Sequence, residues 1–201
     1  PGQVHVTVGV VHYHAHGLDR EGVSSNYLAR RSIGSRIPVF TQANSHFHPP
    51  KDPALPMIMV GPGTGVSPFR AFIEERVAVG ATGKNWLFFG DQHQASDFLY
   101  QREWEDKLAR GILSKLSLAF SRDQSERIYV QQRMREEAKT LYAWLEEGGS
   151  FYVCGDASRM AKDVHTALID VITMASGRSQ EQAEDYVKTL EQEGRYQRDV
   201  Y

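Results

Sequence analysis

The stretch Pro56-Met57-Ile58-Met59-Val60-Gly61-Pro62-Gly63-Thr64-Gly65-Val66-Ser67-Pro68-Phe69-Arg70 leaves little freedom to the fold around it. Four apolar residues run into three glycines at alternate positions, and Ser67-Pro68 opens an apolar segment of helical spacing from Phe69 to Val79. That order predicts a buried strand, a tight loop and a helix begun by proline. Gly61, Gly63 and Gly65 carry no Cβ, so backbone N–H groups can close on an anion, and the following helix turns the positive end of its dipole to the same point. Such a junction suits a phosphate, with a plain strand-to-helix turn as the alternative. No Lys-Ser/Thr pair follows, so it lacks the signature of a nucleoside-triphosphate loop.

Beyond the junction, strands and helices alternate. Strand Met57–Val60 leads to helix Ser67–Val79, strand Asn85–Phe89 to helix Asp97–Ala109, and strand Leu113–Phe120 to helix Val130–Glu146. Met134, Ala138, Leu141, Tyr142 and Leu145 fall on one side of that third helix. Strand Ser150–Cys154, helix Ser158–Ala175 and a more polar outer helix Ser179–Gln192 follow, then a tail from Gly194 to Tyr201 with no element assigned to it. The alternation predicts an α/β fold with a doubly wound parallel sheet covered on both faces. Upstream the pattern is β-rich. Val4, Val6, Val8 and Val10 alternate with Gln3, His5, Thr7 and Gly9 and continue through Val11 and Tyr13, which predicts one long half-buried strand. A turn at Gly17-Leu18-Asp19, a helix from Asn26 to Ile33 capped by Ser24 or Ser25, and a strand from Ile37 to Gln42 are expected next. Residues 43–56 read as an irregular connector, so two domains are expected, 1–56 and 57–201.

Composition excludes several classes. With 24% charged and 41% hydrophobic residues in 201 the chain reads as globular, and its net charge of −2 offers no basic field to recruit nucleic acid. No apolar run approaches the ~20 residues of a membrane span. One cysteine, Cys154, rules out an intramolecular disulfide and a cysteine-cluster metal site, which fits a reducing compartment. Pro1 is not an initiator methionine and the chain opens directly into a strand pattern, so a piece of a longer polypeptide is expected.

Ligands of an open parallel sheet gather beyond the carboxyl ends of its strands. Four loops occupy that position: Gly61–Val66, Gly90–Ser96, Ser121–Tyr129 and Gly155–Arg159. In the third, Arg122 and Arg127 offer two guanidiniums to clamp a dianionic phosphate while Tyr129 stacks on an adenine, a pocket for a 2′-phosphoadenosine. Read alone, the same side chains are ordinary solvated loop residues. Cys154, at the carboxyl edge of its strand, reads alone as a small buried hydrophobe. His12, His14 and His16 share a strand face, but no carboxylate or cysteine is interleaved at ligand spacing, so no metal site is expected.

Together, the segments Gly61 to Arg70, Ser121-Arg122-Asp123-Gln124 with Arg127-Ile128-Tyr129-Val130-Gln131, Tyr152-Val153-Cys154-Gly155-Asp156-Ala157, and Arg195-Tyr196-Gln197-Arg198-Asp199-Val200-Tyr201 resemble the ferredoxin–NADP reductase superfamily. Within it the diflavin reductases are the nearest match, and among these the flavoprotein components of bacterial NADPH-dependent sulfite reductases. The resemblance covers the whole chain. It implies that Gly61, Gly63, Thr64 and Gly65 face the NADP pyrophosphate and that Ser121, Arg122, Arg127, Ile128, Tyr129, Val130 and Gln131 hold the 2′-phosphoadenosine end. Asp163 is implied as a further nucleotide contact, Cys154 as the thiol beside the nicotinamide, Asp199 as the carboxylate near the hydride path, and Tyr201 as the aromatic that covers the flavin ring. Residues 1–56 are implied to be the later part of an antiparallel β-barrel FAD domain, in which Thr7, Val8, Gly9, Tyr13, Gly22, Val23, Ser24 and Ser25 meet FAD. The Arg-x-Tyr-Ser segment that grips the flavin, and an FMN-binding flavodoxin domain, lie upstream in the family. The resemblance also implies NADP(H), FAD and FMN chemistry, a sulfite reductase hemoprotein as partner and a cytoplasmic enzyme; it leaves a homo-oligomeric full-length protein open. Two alternatives stand beside it: a module that binds NADP(H) without transferring anything, and a diflavin reductase serving another heme partner.

Overall fold

A strand exists only beside a partner, and the valines near the start of the chain show it. The computed structural model describes residues 4–201, which fall into two compact units that divide between Asn44 and Ser45. In the first unit the alternation Val4, Val6, Val8, Val10 forms no strand, since it enters no ladder among the described residues; these valines stay exposed. Pairing begins at β1 (His12–Ala15), antiparallel to β2 (Leu18–Glu21). His16 and Gly17 between them have φ of 53° and 74°, the positive values that a two-residue hairpin turn needs. Helix α1 spans Val23–Ala29, three residues earlier than expected at its start, and its N-cap is Gly22 rather than a serine. Ser25 Oγ instead accepts from Val11 N at 3.1 Å and donates to Gly22 O. Residues 37–42, expected as a strand, have no regular structure, and Val39 and Phe40 are exposed. The described part of this unit is thus one two-stranded sheet and a short helix, not the expected run of barrel strands.

The second unit is the doubly wound sheet. Five parallel strands, β3 (Met57–Val60), β4 (Asn85–Asp91), β5 (Lys115–Phe120), β6 (Ser150–Gly155) and β7 (Tyr196–Val200), lie in the order β5-β4-β3-β6-β7. All of β3 is buried, as a central strand with layers on both sides must be. Its side chains alternate between two cores. Ile58 and Val60 pack with α5 (Val130–Glu136), α6 (Ala138–Glu146), α7 (Met160–Ser176) and α8 (Gln180–Gln192), whereas Met57 and Met59 pack with α2 (Ser67–Ala78) and Trp104. Trp104 belongs to α4 (Gln101–Ala109), which follows the short α3 (Gln94–Asp97). The helix expected over 97–109 thus begins only at Gln101, after Tyr100 takes φ of 60°, and α3 is a separate short helix before it. The helix expected over 130–146 is also two, α5 and α6, yet Met134, Ala138, Leu141 and Leu145 still share the core.

The tail was expected to carry no element, but its residues add β7 to the sheet edge, with Cys154 opposite Asp199 in the register. Residues 45–56 pack with the second unit, not the first. Phe47 lies against Phe69, Phe72 and Tyr152, and the buried Arg76 donates from Nη2 to the carbonyls of Pro53, Leu55 and Gly83. Chain order reverses at β3, since β4 and β5 are added on one side and β6 and β7 on the other. Such a switch point opens a crevice at the strands' carboxyl ends.

Candidate functional site

At the switch point the Gly-rich loop is fitted against its neighbours with no room for a side chain. A Cβ on Gly65 would lie 2.1 Å from the carbonyl oxygen of Cys154 on β6, and one on Gly61 would lie 2.6 Å from both Gly65 O and the Phe69 ring. Gly63 needs its glycine for another reason, its φ of 56°. Residues Gly63–Val66 wind as a 3₁₀ turn straight into α2. First-turn N–H groups of a helix have no partner within it, so this entry is polarised toward an anion.

The loop after β5 is pinned by its backbone and by short polar side chains. Ser121 N and Arg122 N donate to Asp91 O and Gln92 O at 2.9 Å each, extending the β4–β5 pairing past the strand ends. The Asp123 carboxylate accepts from Gln94 N at 2.8 Å and His93 Nδ1 at 2.9 Å, and these contacts hold it below the usual carboxylate range. Gln124 Nε2 donates to Phe120 O and Glu126 O. Gln132 bridges the far end, accepting from Tyr129 N and donating to Arg127 O. What this leaves over is the guanidiniums: neither that of Arg122 nor that of Arg127 makes an ion pair or hydrogen bond to any described residue.

Beyond β6, Asp156 starts α7. It accepts from Ser158 Oγ at 2.7 Å, Arg159 N at 2.8 Å and Met160 N at 3.2 Å, and the three together hold its carboxyl far below the ordinary carboxylate value. Asp163, in the first turn of α7, meets Gln131 Nε2 at 3.5 Å. All four loops converge on one cleft of about 570 Å³, lined by Pro62, Gly63, Gly90, Asp91, Gln92, Ala119, Ser121, Arg122, Arg127, Tyr129, Val130, Gln131, Asp156, Arg159, Met160 and Asp163. Asp91 is partly buried there, and burial pushes its carboxyl up. Its Oδ1 accepts from Gln92 N at 2.7 Å.

A second group sits at the β6–β7 edge. Cys154 is buried, and burial followed by the charge of Asp199 pushes its thiol up to about 12, so it stays protonated at neutral pH. Tyr201 is tied by its backbone, N to Gly155 O at 3.1 Å and O from Ala157 N at 2.9 Å. Its hydroxyl lies 2.6 Å from Thr64 Oγ1, the hydroxyl of the Gly-rich loop. Thr64, Cys154, Asp199 and Tyr201 are thus brought together, beside the cleft rather than lining it.

The remaining expected residues distribute as follows. Ile128 is half-buried against the core, so its side chain is packing. Gly61 and Gly65 shape the loop without lining the cleft. Thr7, Val8, Gly9, Tyr13 and Gly22 to Ser25 all belong to the first unit. There Asn26 Nδ2 donates to Val11 O and Gly22 O, closing the turn before α1 onto the residue ahead of β1. His12 and His14 face Glu21 and Asp19 across the hairpin, at 3.8 Å and 2.9 Å, and no group of three metal-ligating side chains forms among the described residues. Sequence reading gave no role to Asp91, Asp156 or Arg159. All three lie in loops expected at the strands' carboxyl ends, Gly90–Ser96 and Gly155–Arg159, but only the convergence of those loops brings these particular side chains to the cleft.

The donor set can be tested against a dinucleotide phosphate. Unpaired guanidiniums beside a glycine cradle that a Cβ would fill are the counterpart such a ligand needs, so the residues present fit it. Comparison with known proteins points the same way. Residues 59–166 match the model of the oxidoreductase NAD-binding domain. The chain is 52% identical over 202 residues to the sulfite reductase [NADPH] flavoprotein alpha-component of Bacillus subtilis (strain 168), covering 100% of this chain and 33% of that protein. Its counterpart in Vibrio cholerae serotype O1 (strain ATCC 39315 / El Tor Inaba N16961) is 54% identical over 200 residues, and that in Shewanella sp. (strain MR-4) 51% over 199, each covering 99% of this chain and 33% of the relative. The chain therefore spans about a third of the length of these curated relatives. With the family model matched across more than half of its residues, the chain belongs to the oxidoreductase NAD-binding domain family.

Proposed function

We propose that this chain is the NADPH-binding part of a flavoprotein reductase that serves sulfite reduction. In this reading residues 57–201 bind NADPH, residues 1–56 are the later part of an FAD-binding barrel, and electrons leave through FMN on an upstream flavodoxin domain to a sulfite reductase hemoprotein. When bound, NADPH supplies a hydride and FAD accepts it. The chain's own residues do the placing. The Gly61–Gly65 loop and the start of α2 receive the pyrophosphate, and Arg122, Arg127 and Ser121 clamp the 2′-phosphate, with Tyr129 over the adenine. Cys154, a neutral thiol, and Asp199 stand at the nicotinamide, where they steady the charge that moves with the hydride. Tyr201 covers the flavin face and yields to the nicotinamide. Thr7, Val8, Gly9, Tyr13 and Gly22 to Ser25 are the proposed FAD contacts.

The observation that carries the reading is the pair of unpartnered guanidiniums beyond β5, on a loop whose Asp123 and Gln124 side chains are used to hold its shape. Of the three carboxylates that also line the cleft, Asp91, Asp156 and Asp163, Asp91 accepts from Gln92 N and Asp156 from Ser158, Arg159 and Met160. Arg122→Ala should weaken NADPH binding by ~2–4 kcal/mol and leave NADH nearly unchanged, as measured by titration calorimetry. Equal losses for both cofactors would remove Arg122 from the 2′-phosphate. A second reading is favoured by the exposure of Val4, Val6, Val39 and Phe40 in the first unit: the chain holds NADP(H) but needs a further segment to retain flavin. A purified chain that binds NADP+ yet shows no flavin absorbance after incubation with FAD would decide for it.

A further inference from the structure

We infer that Arg159 is a third cofactor-binding cation and that it pairs with the pyrophosphate, not with the 2′-phosphate. Its guanidinium makes no ion pair or hydrogen bond to any described residue, although three carboxylates, Asp91, Asp156 and Asp163, line the same cleft. Its backbone, by contrast, is fixed, with N donating to Asp156 and O accepting from Asp163 N at 3.0 Å. A rigid base with an unengaged charged fork is the form of a ligand-binding arginine.

Strand order separates its target from that of the other two. Arg159 follows β6, the immediate neighbour of β3, whose end carries the Gly-rich loop; Arg122 and Arg127 follow β5, on the other side of β3. Neighbouring strands lie about 4.8 Å apart, so the ends of β5 and β6 stand about 14 Å from each other with the Gly-rich loop beside Arg159. Arg159 thus enters the cleft from the Gly-rich-loop side and Arg122 and Arg127 from the β5 side. The pyrophosphate needs a cation of its own, because the loop's N–H groups are neutral and the carboxylates of the cleft repel it. Arg159 is the one unpaired cation on that side among the described residues lining the cleft. The inference rests on the NADP(H) reading above.

The test separates the phosphates chemically. Adenosine 2′-monophosphate carries only the first, ADP-ribose only the second, and NADP+ both. By calorimetry on this chain, Arg159→Ala should weaken ADP-ribose and NADP+ about tenfold alike, the scale of one exposed charge-assisted bond, and leave adenosine 2′-monophosphate within about twofold. Arg159→Lys should recover part of the loss, since it restores charge without the fork. Arg122→Ala should show the reverse pattern. Loss of adenosine 2′-monophosphate binding equal to that of NADP+ in Arg159→Ala would overturn the assignment, as would unchanged ADP-ribose binding by a variant with a wild-type unfolding midpoint. If Arg122→Ala left adenosine 2′-monophosphate unaffected while Arg159→Ala still weakened ADP-ribose, the 2′-phosphate reading would fail and Arg159 would stand.

Discussion

Adding one methyl group at Gly65 tests how the phosphate loop is built. The new Cβ would lie 2.1 Å from Cys154 O and 2.7 Å from Cys154 C, both backbone atoms of a buried strand that cannot give way. The loop must retreat by about 1.3 Å to reach ordinary van der Waals contact. Overpacking of this kind costs about 1–3 kcal/mol, or about 3–10 °C in the unfolding midpoint of a chain this long. Binding should suffer more. A peptide N–H that meets a phosphate oxygen at about 2.9 Å is out of hydrogen-bonding range after such a shift. Losing about two charge-assisted bonds at ~1.5–3 kcal/mol each weakens NADP+ by at least about a hundredfold. Gly63→Ala is the control. Its Cβ would meet only Asp91 Oδ2 at 3.8 Å, so the cost is the strain of a positive φ, about 1–2 kcal/mol, with the loop left near its place. Calorimetry with NADP+ and thermal unfolding of both variants would read the difference. Wild-type affinity and midpoint in Gly65→Ala, or equal affinity loss in the two, would refute a loop position fixed by contact with β6.

Two further expectations concern stability. The Cys154 thiol sits at about 12 against an ordinary 9.0, so the unfolded chain releases its proton first and stability should fall as pH rises from about 9 to about 12; Cys154→Ala should lack that part of the slope, and identical pH profiles in denaturant unfolding would show the shift to be absent. Arg76→Met keeps volume but leaves the carbonyls of Pro53, Leu55 and Gly83 without their donor, which should cost about 2 kcal/mol and about 4–8 °C in Tm, and an unchanged midpoint would mean water takes over the contacts.

Strands β3, β4 and β6 were legible because each is an unbroken apolar run closed by glycine, a pattern that double-sided burial explains. β7 was not. Gln197, Arg198 and Asp199 form an edge strand with one neighbour and mostly exposed side chains, so they carry no apolar signal. The opposite error arose at Val4 to Val10, where a perfect alternation has no ladder among the described residues: periodicity states which face a strand would bury, not whether a partner is present. The late start of α4 after Tyr100 and the helix break at Glu137 were hidden because the apolar spacing runs through them. Arg122 and Arg127 could be read from their loop, two cations beyond one strand. Arg159 could not, since a lone arginine at a helix start acquires meaning only from the strand order beside it.

That strand order also makes the cleft a gauge of the whole second unit. Its walls come from the ends of β3, β4, β5 and β6, each separated from the next in sequence by a complete crossover, so the binding surface draws on the chain from Pro62 through Asp163. A nucleotide should accordingly have little affinity for the unfolded chain and should stabilise the folded one by mass action, about 2.7 kcal/mol at a hundredfold excess over Kd. On the NADP(H) reading proposed above, nucleotide level then enters the lifetime of the fold: when the nucleotide runs short, the unliganded molecules open more often to proteases.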